Sequence, residues 1–521
     1  MTTPWDQRLG VWYVAEDHPD LPAIVESPSG ETLTYSQLAG RAHQIANTLQ
    51  GAGLAPGEVI ALAFPNGLDT VLWQLACQEI GVYYITLNPA LSAHEVRSIM
   101  DHAQAAAVVI HTMFADRASE LDRNESARVR LAVGGPVQGF TPAEDLLAEA
   151  STSPPADRRT GSMFVYTSGT TGKPKGIWRD LPKGDPSDVA DGSKLFAHAF
   201  RMMPLEGAHL VSAGMYHGGC MAYYMAALNV GQALVIMERF EAEAALRLIE
   251  RHRVTTAYMV PTQFVRLLKL PDEVRRRYDV SSLEVVVHSA APCPKEVKAK
   301  MFEWWGPVIW ETYGGTEGAA TIAKPHHWLA KPGTVGRPTR GNTVRILDDD
   351  GNDLPANTVG HIFTESSMGR TFKYHGDDDA TESVYRGKAF TLGDVGYLDD
   401  DGFLFISDRV KDMIITGGIN VYPAEVEGFL HAHPKVHDVA VVGVPDDEWG
   451  ESIKAVVQPA EGVDPSPELA AELIEYCRER LAHYKCPRSV DFRTDMPRTE
   501  AGKLYKRQIR DEYWAATGRS V

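Results

Sequence analysis

Short apolar runs alternate with longer amphipathic runs through the first 150 residues, and few folds accept that pattern. Residues 23–27 and 32–35 predict short strands around the turn Pro28-Ser29-Gly30. Residues 36–51 predict a helix capped by Ser36. A strand at 59–64, a helix at 67–80 and a strand at 82–87 follow, then a helix at 93–101 and a strand at 106–110. Repeated strand–helix alternation of this kind predicts layered α/β architecture with mostly parallel sheets. Residues 149–159, rich in Ser, Pro and Ala, predict a linker, after which the alternation resumes to about residue 325.

Between 206 and 238 there is no Asp, Glu, Lys or Arg. His217, Asn229, Gln232 and several glycines interrupt the run, so a buried strand–helix–strand unit is expected rather than an integral membrane segment. Residues 333–410 change to a strand- and turn-rich pattern containing Leu347-Asp-Asp-Asp-Gly351 and Leu398-Asp-Asp-Asp-Gly402. A calcium loop would put its first ligand at Ile346 or Tyr397, so Asp-Gly hairpin turns are expected instead. After Val410 the chain has its own strands at 439–444 and 453–458 and a helix at 468–481, enough for a small separate domain.

A chain of 521 residues can hold several domain-sized units without staples. Its 51 Lys and Arg against 69 Asp and Glu give a net charge of −18, which disfavours nucleic acid as a partner. The five cysteines (Cys77, Cys220, Cys293, Cys477, Cys486) lack metal-ligand spacing and read as thiols in a reducing compartment. The start of the chain carries Asp6 and Arg8 without an apolar core, so no signal peptide is expected and a cytoplasmic location is.

The most informative string is Tyr166-Thr-Ser-Gly-Thr-Thr-Gly-Lys-Pro-Lys-Gly176, which leaves the apolar segment 162–165. Gly169 and Gly172 let backbone N–H groups approach an anion, and Thr167, Ser168, Thr170 and Thr171 add hydroxyl donors. Lys173 and Lys175 add positive charge, so the loop suits polyphosphate; a flexible surface turn is the competing reading. The spacing is not that of a Walker A loop, because only two residues separate Gly169 from Gly172 and Pro174 follows Lys173.

That string resembles the signature of the adenylate-forming superfamily, which includes acyl-CoA synthetases, peptide-synthetase adenylation domains and luciferases. Three more similarities follow in family order: Tyr313-Gly-Gly-Thr-Glu317; Thr391-Leu-Gly-Asp394 with Asp408-Arg-Val-Lys-Asp412 and Gly417-Gly418; and Pro497-Arg-Thr-Glu-Ala-Gly-Lys503. The resemblance covers nearly the whole chain. It implies a large layered α/β N-terminal domain, 1–410, with parallel-rich sheets and a small β-rich subdomain. A small mobile α+β C-terminal domain, 411–521, would carry the catalytic lysine and turn about a hinge at Lys411.

The resemblance also implies a reaction, ATP-dependent activation of a small-molecule carboxylic acid to an acyl-adenylate followed by transfer to CoA, with Mg2+ required. Bringing two anions together needs cations, and the residues supply them. The likeness puts Lys503 at the carboxylate and α-phosphate, Thr316 as a donor to that phosphate, and Glu317 on Mg2+. Glu311, Thr312, Tyr313 and Gly314 would meet the nucleotide, with the Tyr313 ring on adenine. Asp394 and Arg409 would hold the ribose, and Ser289-Ala290-Ala291 would lie between adenine and acyl group, with serine standing where the family has glycine. His217, in Met215-Tyr-His-Gly-Gly219, resembles the gate of the acyl pocket. Gly417 and Gly418 would flank the pantetheine arm, and Trp449 and Tyr484 sit where CoA ligases often carry aromatic residues. Cys486 occupies a position that is basic in relatives, and Lys485 or Arg488 could take over its contact.

The pocket residues 217–221, 258–262 and 290–291 are mostly apolar and small, which points to a fatty, aromatic or alicyclic acid. No acidic residue follows His217, which disfavours amino acids. Two rival readings stay open, an enzyme loading a carrier protein and a non-catalytic nucleotide-binding scaffold, as does a homodimer. Three further departures from the family pattern join those at Ser289 and Cys486. Asp408 replaces glycine, Trp178 replaces a smaller residue, and 179–193 reads as a surface elaboration.

Overall fold

Fully apolar strands such as Val59–Ala63, buried at every position, fit only a sheet covered on both faces. The computed structural model describes residues 4–121, 126–167, 175–409, 412–416, 419–446, 449–479, 481–498 and 504–515. The chain divides into two units, one of Met1–Met259, Val265–His288 and Thr371–Thr381, the other of Val260–Phe264, Ser289–Arg370 and Glu382–Val521.

The first unit contains two parallel sheets. One has the strand order Thr141–Pro142, Val129–Val133, Ala107–His111, Val59–Ala63, Tyr83–Thr86, Ser162–Met163, with every neighbouring pair parallel. The other runs Val285–His288, Thr256–Met259, Ala208–Val211, Ala233–Ile236, Pro22–Glu26, and ends in the antiparallel strand Leu33–Thr34. The uncharged stretch folds as expected, with strand Ala208–Val211, helix Gly218–Asn229 and strand Ala233–Ile236. A small antiparallel sheet of Val165–Thr167, Lys175–Trp178 and Lys373–Tyr374 completes this unit.

Two sequence expectations are corrected here. The helix is Tyr35–Gly51, and Thr34 caps it in place of Ser36. Gln37 stands three residues after Thr34 and its side chain accepts from the Thr34 N–H at 2.9 Å, a reciprocal arrangement Ser36 cannot make. The 149–159 segment is fixed, not a loose linker. Asn47 donates to the Ser151 and Ser153 carbonyls at 2.9 Å, and Arg158 Nε donates to Glu79 Oε1 at 2.7 Å. Glu79 is wholly buried and also meets His43 Nδ1 at 2.7 Å, while Trp12 stacks on His43. Residues 179–193, read as a surface elaboration, are largely exposed and contain helix Pro186–Gly192, which packs on helix Val11–Asp17. Asp185 caps that helix and faces Arg158 Nη1 at 3.2 Å, Tyr13 donates to Asp188 at 2.6 Å, and Leu9 N donates to Asp191 at 2.6 Å. Trp178 lies between Tyr83 and a stacked His375, at centroid distances of 4.0 and 5.1 Å.

The second unit contains antiparallel strands Ile309–Gly315, Gly318–Ala323 and Arg337–Pro338. A six-stranded sheet runs Tyr385–Arg386, Ala389–Phe390, Gly360–Ser366, Asp394–Leu398, Leu404–Arg409, with Asn342–Leu347 also on Gly360–Ser366. The second Asp-Gly string is a hairpin turn between Asp394–Leu398 and Leu404–Arg409: Gly402 N donates to the Asp399 carbonyl at 2.9 Å with φ +75°. The first string turns likewise, Gly351 N donating to Asp348 O at 3.1 Å. A five-stranded sheet of Ile419–Val421, Ile414–Thr416, Gly450–Pro459, Val436–Asp446 and Ser489–Phe492 has an apolar core on each face. Period-two alternation sends Val439 and Val441 into the core that contains Leu430 and Leu473, and Val442 and Val444 into the one that contains Ile509.

The Arg158–Glu79–His43 network yields a stability prediction. Arg158→Met leaves a buried carboxylate without its strongest partner and is expected to cost about 3 kcal/mol, read as a lower urea midpoint. Adding Glu79→Gln is expected to restore most of that loss; a double variant as unstable as the single one would refute the network's role.

Candidate active site

Strand Ile309–Gly315 turns into Gly318–Ala323 through only two residues, Thr316 and Glu317, with Gly315 paired to Gly318. So tight a turn puts both side chains at the tip of a rigid hairpin. Gly315 is closely approached by the ends of two side chains. A Cβ there would stand 2.6 Å from Glu317 Oε2 and 2.9 Å from Leu392 Cδ2. The register shift between Tyr313 and Gly314 is a bulge, the local device that re-aims side chains beside it.

Tyr313 OH donates to Asp394 Oδ2 at 2.7 Å across 81 residues of sequence. Asp394 is buried, opens strand Asp394–Leu398, and lies directly opposite Arg409 in the antiparallel register. Ser289 Oγ donates to the Thr312 carbonyl at 2.8 Å, which ties this residue to the strand. Ala290 follows with φ +73°, a left-handed conformation that costs a non-glycine residue about 1 kcal/mol.

Beneath the strand, Glu311 Oε2 accepts from Lys298 Nζ at 2.6 Å. The Lys298 side chain is 0 % exposed. Lys298 was not legible as a functional candidate, yet a signal existed. On helix Lys295–Trp305 it shares the buried face with Met301, Phe302 and Trp305, where an unpaired charge is not tolerated. Glu311, expected to meet the nucleotide, has its carboxylate engaged by Lys298.

His217 and Thr167 belong to the first unit. His217 is the N-cap residue of helix Gly218–Asn229, its Nε2 is shielded from solvent without a hydrogen-bond partner, and burial lowers its pKa to about 4. A Cβ on Gly219 would meet the Tyr258 hydroxyl at 2.7 Å, so this wall admits no larger residue. A neutral, unsatisfied imidazole beside small residues fits a gate on an apolar pocket. Thr167 pairs with Lys175 at the base of the phosphate-type loop, and Tyr166 OH meets His102 Nδ1 at 2.7 Å. Ser168, Gly169, Thr170, Thr171, Gly172 and Lys173 lie outside the described residues, as do Lys411, Gly417, Gly418 and Lys503.

Trp449 and Tyr484 are 40 % and 47 % exposed, so both rings are accessible. The Arg488 guanidinium lies 4.6 Å from the Trp449 ring centroid, a cation–aromatic pair suited to a phosphorylated nucleotide. Lys485 is instead held by Glu425 at 2.8 and 2.9 Å. Cys486 is buried in the apolar core, which explains the absence of a basic residue there.

Glu317 offers carboxylate oxygens at a hairpin tip over a glycine, which fits Mg2+. A tyrosine-oriented carboxylate at Asp394 fits a ribose diol.

Residues 11–369 match the family described as "AMP-binding enzyme", and 425–503 match "AMP-binding enzyme C-terminal domain". The chain is 32 % identical over 527 residues to a feruloyl-CoA synthase of Amycolatopsis, covering 98 % of this chain and 99 % of that protein. Among solved structures it is similar to the amide bond synthetase McbA of Marinactinospora thermotolerans, with TM-score 0.84, 30 % identity and coverage of 97 % and 100 %. It is similar also to the anthranilate CoA ligase AuaEII in complex with anthranoyl-AMP, with TM-score 0.86, 25 % identity and coverage of 99 % and 100 %. The chain belongs to the AMP-binding enzyme family, the adenylate-forming superfamily that its motifs resemble.

Two outcomes are expected. Gly315→Ala displaces Glu317 and should raise the KM for MgATP on the order of tenfold with little change in melting temperature. His217 makes stability acid-sensitive. Below about pH 6.5 the unfolded chain binds a proton that the folded imidazole refuses until about pH 4, so stability falls as pH drops through that window. Melting curves of His217→Leu should show a flatter slope there than wild type.

Proposed function

We propose that the protein is an AMP-forming carboxylic acid–CoA ligase acting on an aromatic or other largely apolar acid. The observation that carries the reading is the Tyr313–Asp394 pair beside the Thr316-Glu317 hairpin tip, in a chain similar over 98 % of its length to a feruloyl-CoA synthase. The acid's carboxylate oxygen attacks the α-phosphorus of ATP, the bond to the bridging oxygen breaks, and pyrophosphate leaves. The CoA thiolate then attacks the acyl carbon, and AMP leaves with the electron pair of the acyl–oxygen bond.

In this reading the loop from Thr167 to Lys173 cradles the outgoing phosphates with backbone N–H groups and hydroxyls. Thr316 donates to the α-phosphate, and Glu317 holds Mg2+, which when bound neutralises phosphate charge. Asp394, oriented by Tyr313, accepts from the ribose hydroxyls, and Arg409 supports the same sugar. Lys503 places positive charge between carboxylate and α-phosphate, where negative charge crowds in the transition state. The 411–521 lobe turns about Lys411 between the half-reactions, with Gly417 and Gly418 lining the pantetheine path and Trp449 with Arg488 receiving the CoA nucleotide.

The neutral His217 and the wall at Gly219 and Tyr258 support an apolar acid. The names of two similar proteins, a feruloyl-CoA synthase and an anthranilate CoA ligase, support an aromatic one. All five cysteines are thiols, which supports a reducing, cytoplasmic setting. Among the described residues no helix is long and apolar enough to cross a membrane. A second reading, transfer of the acyl group to an acceptor other than CoA, rests on the similarity to an amide bond synthetase.

The test is an AMP and pyrophosphate assay with MgATP and CoA over fatty acids, benzoates and cinnamates. CoA-dependent AMP release with the aromatic acids is expected. Pyrophosphate release that CoA does not accelerate would favour the other acceptor, and silence across the panel would overturn the ligase. Lys503→Ala should slow adenylation by about 10²–10³ while leaving thiolation of preformed acyl-adenylate intact; equal loss in both steps would refute the lysine's placement.

A further inference from the structure

The departure at 179–193 leads into a short helix that carries two phenylalanines toward the wall of Gly219 and Tyr258. Helix Pro186–Gly192 is followed directly by helix Lys194–Ala199. Ser193 Oγ donates to the Ala190 carbonyl at 2.7 Å, and Lys194 Nζ lies 3.0 Å from Asp191 Oδ2. The Trp5 ring meets His198 edge-on at 4.7 Å, a further tie to the start of the chain. Helix Lys194–Ala199 packs on helix Gly218–Asn229.

At that contact aromatic rings close on one another. Phe196 and Phe200 stand 4.9 Å apart and lie 5.2 and 5.0 Å from the Tyr223 ring, each edge-on to it. Tyr223 in turn stacks on Tyr258 at 5.0 Å, with 24° between the planes. Both arrangements are the ones aromatic quadrupoles favour. Phe200, Tyr223 and Tyr258 are buried, and Phe196 forms the exposed end of the stack. Tyr258 is fixed elsewhere too. Its hydroxyl stands 2.7 Å from where a Cβ on Gly219 would be, and its carbonyl accepts from Ser212 Oγ at 3.3 Å. A ring so packed does not swing aside for a longer acyl chain without disturbing Tyr223 and the two phenylalanines packed on it. All these residues belong to the first unit.

We propose that Tyr223 and Phe196 set the acid specificity. They touch no substrate; as positioning residues they hold Tyr258 in place and so close the acyl pocket on that side. The acid is then a compact one, a single ring or a short chain, and long-chain fatty acids are excluded. The inference rests on the acid–CoA ligase reading and narrows its class of acid. A wall that does not yield discriminates by about 10- to 200-fold for each surplus methylene.

The test measures kcat/KM for benzoate, cinnamate, hexanoate, octanoate and palmitate in wild type, Phe196→Ala, Tyr223→Ala and Tyr223→Phe. Wild type is expected to lose at least about a hundredfold between octanoate and palmitate. Phe196→Ala and Tyr223→Ala should each raise the palmitate-to-benzoate ratio by about tenfold with the KM for MgATP unchanged. Tyr223→Phe keeps the ring and should keep the wild-type profile. A wild type that uses palmitate as well as benzoate would overturn the proposal. So would alanine variants that lose activity on every acid in proportion, or that keep the wild-type profile. Should Tyr223→Ala fail to fold, Phe196→Ala, at the exposed end of the stack, carries the comparison. A wild type silent with every acid would refute the ligase reading instead. Calorimetric binding of benzoyl- and palmitoyl-sulfamoyl-adenosine then decides the wall: benzoyl bound in preference supports it, and palmitoyl bound as tightly, or neither bound, would overturn it.

Discussion

The buried ion pair of Lys298 and Glu311 is the constraint on which the strand bearing Tyr313 depends. An ammonium with no solvent exposure is tolerated only against a carboxylate at hydrogen-bond distance. Replacing the pair by apolar residues could be neutral for stability, but a single unpaired member could not. Its consequence is register. With Glu311 fixed to helix Lys295–Trp305, the following residues have determined places, Thr312 under Ser289, Tyr313 on Asp394, and Thr316 and Glu317 at the turn.

Rigidity of that kind is what phosphoryl chemistry asks of a protein. Positioning and fixed charge do most of the work, and a shift of one ångström is costly. The two-residue turn over Gly315 and the bulge at Tyr313 leave the hairpin tip little freedom. On either side of the 499–503 segment, Arg498 pairs with Asp438 and Lys506 with Glu427.

Much of the candidate site was legible because its chemistry is carried by short strings. Glycines and hydroxyls between 167 and 172, the Thr316-Glu317 pair and Asp394 are each recognisable within a few residues. Their partners were not legible. The bond between Tyr313 and Asp394 spans 81 residues, and nothing local marks either as the other's partner. The corrections have the same origin. Residues 149–159 have the composition of a linker, but Arg158 finds a buried Glu79 on a helix 79 residues away. The helix Pro186–Gly192 lies at the surface as its polarity implies, but its partners, Tyr13 and Leu9 bonding to Asp188 and Asp191, are distant in sequence.

The sequence by itself determined the layered α/β class, the buried strand–helix–strand at 206–238, the Asp-Gly turns and the family, because hydrophobic periodicity, turn chemistry and motif spacing are local properties. Only the tertiary structure decided that Lys298 is an internal counter-ion, that Asp408 accepts from the Ala424 N–H, and that burial disfavours the charged form of His217. Those facts depend on desolvation and on which distant charges folding brings within a few ångströms, and neither quantity is written in any window of sequence.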